Sequence, residues 1–254
     1  MGPNMKENAV LHELYVEDVI VPIYITPKND KTKMRFVGTG FYVDKRGHLI
    51  TCRHVADNLD DNHWLFAYQI GKRKDLGLKV LKKSDRYDLA FCKSSPPGIG
   101  ETFPMVTEQY IEFTSDVELV GYCHEPRLLP KSAPFRQRFM KGNITGIPLE
   151  PGYPDSFELS FPILFGMSGS PLICRIGLSE RAFIVGCAYG SKEARIVKHS
   201  LTIERNTEGR HEQEISRIVE LGLAYNPSAI FSLLKGSGTK MEVLGNAEKN
   251  WTPL

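Results

Sequence analysis

The chain alternates short apolar runs with turns rich in glycine, proline and polar residues. Val19 to Ile25 is a β-branched run interrupted by Pro22, which predicts an edge strand because proline cannot donate to a sheet ladder. Phe36 to Val43 and His48 to Cys52 flank a turn at Asp44 to Gly47, a pattern typical of a hairpin. Further predicted strands are Trp64 to Ile70, Leu76 to Lys82, Leu89 to Lys93, Asp116 to Tyr122, Phe157 to Phe161, Pro171 to Cys174 and Ala182 to Ala188.

The rest of the pattern predicts how these strands are organised. Helical periodicity is scarce before residue 210, and many short strands with glycine and proline between them favour a sandwich or a barrel. Residues 94–116 hold three prolines and two glycines, which predicts a connector between two β units. Glu212 to Leu221 fits either a short helix or a strand. Pro227 to Leu234 is typical of a helix capped by Asn226, and the residues beyond Lys235 are expected to lack stable structure.

Composition narrows the functional classes without naming one. Of 254 residues, 32 are Lys or Arg and 30 are Asp or Glu, a formal charge of +2. A nucleic-acid specialist would carry a larger basic excess. No apolar stretch reaches the roughly 18 residues of a membrane helix, and acids interrupt the first twenty positions, so we expect neither a membrane span nor an export signal. Five cysteines without a CxxC pair are typical of reduced thiols, so we expect a cytoplasmic protein.

One segment has the pattern of a nucleophile turn. Residues 165–173 read FGMSGSPLI, so Ser168 has glycine at −2 and +1 and is followed by an apolar strand. Glycine permits backbone conformations that are barred to other residues. Such a turn can expose a serine oxygen and aim backbone N–H groups at one point, as an oxyanion hole requires. The alternative is a plain Gly–Ser loop between two strands.

Two upstream segments supply the other residue types that serine nucleophiles need. Residues 38–56 (GTGFYVDKRGHLITCRHVA) form a predicted hairpin ending at His54, and residues 87–93 (YDLAFCK) place Asp88 directly before an apolar strand. A serine hydroxyl is a poor nucleophile until a base takes its proton, and histidine titrates near neutral pH. Each residue alone is more often structural. Together they occur in the order His, Asp, Ser, which is the chymotrypsin order.

On these three motifs the sequence resembles the trypsin-like serine peptidases, and most closely the bacterial HtrA-like branch, over roughly residues 18–225. The resemblance implies an all-β fold: two six-stranded antiparallel β-barrels with the active site in the cleft between them, followed by a short C-terminal helix. It divides the chain into an N-terminal extension (1–17), a peptidase domain (18–225) and a C-terminal helix with a flexible tail (226–254). Within the domain, barrel one would cover about 18–105, the connector about 94–116 and barrel two about 116–225.

The same resemblance implies a role for each site residue. Ser168 would be the nucleophile, His54 the general base and later acid, and Asp88 the carboxylate that orients the imidazole. The backbone N–H groups of Gly166 and Ser168 would form the oxyanion hole. The segments 159–167 and 186–191 would line the primary substrate pocket, and because they contain no acid they favour an apolar or small side chain over Lys or Arg. The pocket residues are Pro162, Ile163, Leu164, Tyr189 and Gly190.

Other residues compete for these roles: Ser170, Asp85, His48, His63 and Cys52. The serine directly precedes a proline and is more typical of a strand start. The aspartate does not abut the apolar strand, and the two histidines lack the Thr-x-x-His-Val context. The cysteine could act as a thiol nucleophile, but its strand position favours a small buried side chain.

The sequence also departs from secreted members of the family. Met167 stands where secreted zymogens have an aspartate that pairs with a new N-terminus, and there is neither an Ile-Val-Gly-Gly-like start nor a cysteine pair suited to bracing the histidine. Control through the loops around the oxyanion hole is expected instead, as in HtrA-like enzymes. Unlike typical HtrA proteins, no PDZ domain is expected after residue 235.

The sequence therefore predicts an intracellular serine endopeptidase that cleaves protein or peptide substrates through an acyl-enzyme, without a cofactor or a metal. A protein activator could regulate it, and no nucleic-acid or membrane partner is expected. Two alternatives stay open. One is a catalytically silent chymotrypsin-fold binding module, and the other is a latent effector of a multi-protein system such as antiphage defence.

Overall fold

A computed structural model describes residues 16–30, 32–97, 102–112, 114–124, 135–148, 152–153, 155–176, 181–204 and 210–244, and most of them lie in strands. The strands are β1 (Ile20–Pro27), β2 (Arg35–Tyr42), β3 (His48–Thr51), β4 (His63–Gln69), β5 (Lys74–Lys83), β6 (Ala90–Ser95), β7 (Met105–Val106), β8 (Asp116–His124), β9 (Phe135–Gly146), β10 (Ser156–Leu159), β11 (Pro171–Ile176), β12 (Arg181–Glu204), β13 (Arg210–Tyr225) and β14 (Val243–Leu244). The helical segments are a turn at 16–19, α1 (Arg53–Ala56), a 3₁₀ turn (Glu108–Tyr110) and α2 (Pro227–Leu234). Most of the predicted N-terminal extension and residues 245–254 of the predicted tail lie outside the described residues.

Strands β1 to β6 form a closed antiparallel barrel in the order β1-β2-β3-β6-β5-β4. The prediction of an edge strand for β1 is wrong, because β1 pairs with both β2 and β4. Pro22 has no N–H to donate, and two features make this tolerable: pairing with β4 begins only at Ile23, and the carbonyl of its β2 partner, Thr39, accepts the Thr51 hydroxyl at 2.6 Å. The Thr39 N–H donates to the Ser168 carbonyl at 3.0 Å. The proline therefore interrupts no hydrogen bond to β4 and leaves no Thr39 acceptor unpaired.

The second half of the chain forms a second antiparallel barrel. Its sheet runs β11-β8-β9-β10-β13-β12, and an additional pairing between β11 and β12 closes these six strands into a ring. The prediction of an all-β, chymotrypsin-like fold with a short C-terminal helix is confirmed. Two short strands extend the ring: β7 pairs in parallel with both β12 and β14. Residues 243–244 therefore contradict the expectation that the chain beyond Lys235 lacks stable structure.

Two elements of the second barrel differ from the sequence prediction, and a third decides between alternatives that the prediction left open. Strand β9 was not predicted, because Ile144 is its only buried residue and its sequence therefore lacks the alternation of apolar and polar residues. Residues 212–221, which fitted either a helix or a strand, belong to β13. Strand β12 runs well past Ala188, the end of the predicted strand, because it pairs with β13 as far as Glu204. Helix α2 agrees with the prediction, and its cap residue Asn226 accepts the Ala229 N–H through its side chain at 3.1 Å.

Two hydrophobic clusters show how the barrels are filled and how they pack together. One hydrophobic cluster joins the interior of the first barrel to residues of the second, including Tyr122, Ile173 and Tyr225, so the barrels pack against each other. A separate cluster fills the second barrel.

All five cysteines are free thiols buried in this structure. Within the described part of the chain, no helix has the length and apolar character needed to cross a bilayer.

Candidate active site

His54 and Asp88 meet at the rim of the first barrel. Strands β3 and β6 are antiparallel neighbours with Thr51 opposite Ala90, so the residues just after β3 lie beside those just before β6. His54 sits on the short helix α1, and its backbone N–H donates to Asp88 Oδ1 at 2.8 Å. Its ring Nδ1 lies 2.5 Å from Asp88 Oδ2. Because an ionised carboxylate only accepts hydrogen bonds, Nδ1 carries the proton and Nε2 is left as the basic atom.

The loop around Ser168 follows a tight path through two glycines. Gly166 has φ +94° and Gly169 has φ +88°, a backbone region that favours glycine. A Cβ on Gly166 would lie 2.4 Å from the Phe36 ring, and one on Gly169 would lie 2.1 Å from the Thr39 carbonyl oxygen. The glycines at −2 and +1 of Ser168 are therefore required both by backbone conformation and by close packing on β2.

Two amide groups of this loop have no acceptor. The N–H groups of Met167, Gly169 and Ser170 donate to carbonyl oxygens at 2.9, 2.7 and 3.0 Å. Among the described residues, no acceptor is bound by the N–H of Gly166 or of Ser168. Both residues line an open cleft, so their free donors can meet an anionic oxygen there.

The orientation of the Phe165–Gly166 peptide explains why one donor is free. The Phe165 carbonyl oxygen accepts the backbone N–H of His124, at the end of β8, at 2.9 Å. In a trans peptide the C=O and the following N–H point in opposite directions. The Gly166 N–H is therefore directed away from β8. The ring of His124 also packs edge-to-face on Phe165, with centroids 5.9 Å apart.

His54 and Ser168 line the same cleft of about 410 Å³, one from each barrel. Ser168 Oγ donates to the Tyr189 carbonyl oxygen at 3.4 Å, and within the described residues no hydrogen bond joins it to His54. Ser168 and His54 therefore face the same cleft, and the described residues show no hydrogen bond between them.

The family comparison agrees with this arrangement. The family model of the trypsin-like peptidase domain matches residues 38–179, more than half of the chain. The chain belongs to this family. A comparison with curated proteins finds no matching sequence. The matched segment of this trypsin-like peptidase domain contains His54, Asp88, Gly166 and Ser168.

The cleft includes only some of the predicted pocket residues. Ile163, Leu164 and Gly190 line it together with His54 and Ser168, whereas Pro162 and Tyr189 do not. Tyr189 instead offers its backbone carbonyl to the serine. Among the described residues, the cleft lining contains no Asp or Glu, and its second-barrel rim carries the highly exposed Phe165, with 82% of its surface open. The lining residues are Arg35, Phe36, Val37, His54, Asn58, Ile163, Leu164, Phe165, Gly166, Ser168 and Gly190.

The competing residues occupy other environments. Ser170 is fully buried, and its hydroxyl has no partner. His48 bonds Asp44 and His63 bonds Asp60, each through ring Nδ1, so both histidines form local pairs away from the cleft lining. Asp85 is exposed and pairs with no histidine in the described chain.

Cys52 lies beneath the site without access to it. Burial raises the pKa of its thiol well above the ordinary value, and the nearby Cys187 thiol and Asp88 charge act in the same direction. The thiol donates to the Ala188 carbonyl oxygen at 3.3 Å. Ligand atoms of Cys52, His54 and Asp88 lie within 4.8 Å of one another. A metal would need the thiolate, which this environment disfavours, so the donor set does not fit a metal centre.

Two supporting residues were not identified from the sequence. Thr39 is buried, and its hydroxyl donates to the Gly166 carbonyl at 3.0 Å and accepts the Tyr122 N–H at 3.0 Å. Tyr225 accepts the Asp88 N–H at 2.9 Å. Thr39 lies within the glycine-flanked segment GTG, which offered a local signal. Tyr225 has none, since its partner is distant in sequence.

Proposed function

We propose that this domain is an intracellular serine endopeptidase that uses Ser168, His54 and Asp88 to hydrolyse peptide bonds. The observation that carries the proposal is the pair of unpaired N–H groups on Gly166 and Ser168. Both residues line the cleft together with His54, whose ring Nδ1 contacts Asp88 Oδ2. A plain Gly–Ser loop would not need free donors beside a histidine whose tautomer a carboxylate has fixed.

The proposed reaction starts with a rotation of the Ser168 side chain. Its hydroxyl leaves the Tyr189 carbonyl and turns toward His54 Nε2 by rotation about the Cα–Cβ bond. Nε2 takes the hydroxyl proton as Oγ bonds to the substrate carbonyl carbon. The new oxyanion accepts the N–H groups of Gly166 and Ser168, and Asp88 stabilises the imidazolium.

The second half of the reaction reverses the proton transfer. The imidazolium gives its proton to the leaving amine, the C–N bond breaks and an acyl-enzyme on Ser168 remains. Water then attacks the acyl carbon as His54 takes its proton. The bond from the acyl carbon to Ser168 Oγ breaks, His54 returns the proton to Oγ, and the acid leaves. The cleft lining favours an apolar or small side chain before the cut, because Ile163 and Leu164 are apolar and the described lining offers no acid to pair with Lys or Arg.

A fluorophosphonate probe tests the proposal directly, because it reacts with an activated serine. We expect labelling of the full chain, loss of labelling in Ser168→Ala, and strong reduction in His54→Ala. Ser170→Ala is the matched control, since it removes a neighbouring hydroxyl that is buried, and it should keep labelling. Cys52→Ala should keep it too. Labelling that survives in Ser168→Ala would overturn the assignment of the nucleophile.

One observation favours a second candidate, a latent effector or a silent binding module. The Ser168 hydroxyl rests on the Tyr189 carbonyl and is not bonded to His54. If a protein activator is needed to turn it, labelling will appear only with that partner. A silent module will show no labelling under any condition.

We also propose a reducing, cytoplasmic setting for this domain, which its five free buried cysteines support. The likeness to the HtrA-like branch remains a prediction.

A further inference from the structure

The cleft carries a fixed positive charge beside the histidine. Arg35, at the start of β2, lines the cleft together with His54 and Asn58. Its guanidinium Nη2 donates to the neutral Asn58 Oδ1 at 3.0 Å, and none of the described carboxylates pairs with it. The part of the cleft lining that the structure describes also lacks acidic residues, so the charge of Arg35 has no counter-ion there.

The arginine is held in a defined place relative to His54. The Asn58 side-chain amide donates to the backbone carbonyls of His54 at 2.9 Å and Val55 at 3.2 Å. Asn58 thus joins the guanidinium to the helical turn that carries the histidine. Because one side-chain amide holds both elements, less conformational freedom is lost when the guanidinium meets a ligand.

The reaction direction decides which part of a substrate passes Arg35. In the proposed mechanism His54 must protonate the leaving amine, so the leaving chain runs along the His54 side of the cleft. The acyl side lies against the second barrel, where Ile163, Leu164 and Gly190 line the cleft. Arg35 and Asn58 are on the first barrel with His54. They therefore face residues that follow the cut.

We propose that Arg35, positioned by Asn58, forms a carboxylate-binding subsite for an acidic side chain within the first few residues after the scissile bond. The proposal rests on the proposed function and names its substrate class: peptides with an apolar or small residue before the cut and Asp or Glu shortly after it. Guanidinium groups bind carboxylates through paired N–H donors, and the contact with Asn58 Oδ1 uses only one of the N–H donors of Arg35.

Matched peptides test the subsite. The substrates are internally quenched peptides with a C-terminal amide, and mass spectrometry locates the bond that is cut. Each peptide carries Glu, Gln or Lys at one of the three positions that follow this bond. At one position kcat/KM should be about tenfold higher with Glu than with Lys, the range of a partly exposed ion pair gained against a repulsion. Arg35→Glu should reverse this ratio. Lys79→Glu, an exposed residue that does not line the cleft, makes the same charge change and should leave it unaltered.

The role of Asn58 has its own variant. Asn58→Ala keeps the Arg35 charge but removes its anchor, so the Glu-to-Lys ratio should fall by about threefold. Any loss of kcat common to both substrates cancels in this ratio. An unchanged ratio in Asn58→Ala would contradict the positioning, and an unchanged ratio in Arg35→Glu would overturn the subsite.

Two further arms separate the subsite from the proposed function. Fluorescein-labelled versions of the same peptides are bound to Ser168→Ala and measured by anisotropy. If the chain cleaves nothing but binds the Glu peptides more tightly in an Arg35-dependent way, the subsite stands and the peptidase proposal fails. Cleavage without any charge preference leaves the peptidase and overturns the subsite. Peptides truncated to end in a free α-carboxylate at the favoured position show whether Arg35 reads a side chain, as expected, or a chain end.

Discussion

The phenol oxygen of Tyr225, in the second barrel, accepts a hydrogen bond of 2.9 Å from the backbone N–H of Asp88, in the first. The Tyr225 ring stacks on Tyr189 with centroids 4.1 Å apart and 22° between planes. The Tyr189 carbonyl in turn receives the Ser168 hydroxyl. One tyrosine therefore couples the carboxylate beside His54 to the strand beside the serine, across the barrel interface.

Removing only the phenol oxygen of Tyr225 tests this coupling. In Tyr225→Phe the stack on Tyr189 remains, but the Asp88 N–H loses its acceptor. We expect the free energy of unfolding to fall by about 1 kcal/mol. We also expect kcat to drop several-fold with KM nearly unchanged, because Asp88 acts on His54 and not on substrate binding. Urea denaturation and peptide hydrolysis measure both quantities.

The control for that variant is Tyr110→Phe, which removes a hydroxyl from an exposed tyrosine and should change neither quantity. A rise in KM with kcat intact would show that Tyr225 shapes the substrate pocket instead.

Asp88→Asn should nearly abolish catalysis while keeping the fold. An amide can offer its N–H to Nδ1 and so favours the tautomer with the proton on Nε2, which cannot take the serine proton. The expected loss in kcat is about 10⁴-fold. Asp85→Asn is the matched control, because Asp85 is exposed and lies off the cleft lining. Equal losses in the two variants would contradict the role of Asp88.

Gly166→Ala should close the oxyanion site. The residue has φ +94°, and an added Cβ would lie 2.4 Å from the Phe36 ring and 3.1 Å from the His124 backbone nitrogen. The Phe165–Gly166 peptide must shift, so the Gly166 N–H no longer points into the cleft. We expect kcat to fall by about 10² or more. Gly77→Ala places a methyl group where nothing lies within 4 Å and should be neutral in the same peptide assay.

The sequence predicted the residues whose signal is local and missed those whose partners are distant. His54, Asp88 and Ser168 each stand in a short recognisable context, and the two glycines of the serine loop could be predicted because a tight exposed turn needs them. The contact between Thr39 and Gly166 spans 127 residues of chain, and that between Asp88 and Tyr225 spans 137. No pattern in one sequence reports such pairs.

The fold shows the same division between local and distant signals. Strands with one apolar face were predicted within a few residues, whereas β9, with Ile144 as its one buried residue, has no alternation to read. The edge-strand prediction from Pro22 was wrong because the proline is tolerated through tertiary contacts: pairing with β4 starts one residue later, and the Thr39 carbonyl opposite it accepts the Thr51 hydroxyl. The rotamer of Ser168 is likewise a tertiary property.

Thr39→Val tests whether the first barrel supports the nucleophile loop. The change is nearly isosteric but leaves the Gly166 carbonyl and the Tyr122 N–H without a partner in a fully buried place. Unsatisfied buried groups cost about 1–3 kcal/mol, so the variant should unfold at lower urea. Its kcat should also fall, since Gly166 loses an anchor. Thr39→Ser keeps the hydroxyl and should restore kcat; failure of that rescue would assign the effect to the methyl group.

We expect the free energy of unfolding to depend on pH through the buried carboxyl of Asp44. Asp44 is buried and binds the ring and N–H of His48 and the N–H of Arg46. Burial raises the pKa of Asp44, but the hydrogen bonds from His48 and Arg46 outweigh it, so the net pKa is lowered. A carboxyl whose pKa is lower in the folded state stabilises the fold above its unfolded pKa of about 4 and loses this contribution as pH falls below that value.

Asp44→Asn should therefore be less stable than the parent at pH 7, by about 2 kcal/mol. The difference in unfolding free energy should shrink as the pH is lowered from 5 to 3 in urea titrations. Asp61→Asn, for which no partner is recorded among the described residues, should show no such convergence, and a gap that stays constant in Asp44→Asn would assign its cost to packing and not to charge.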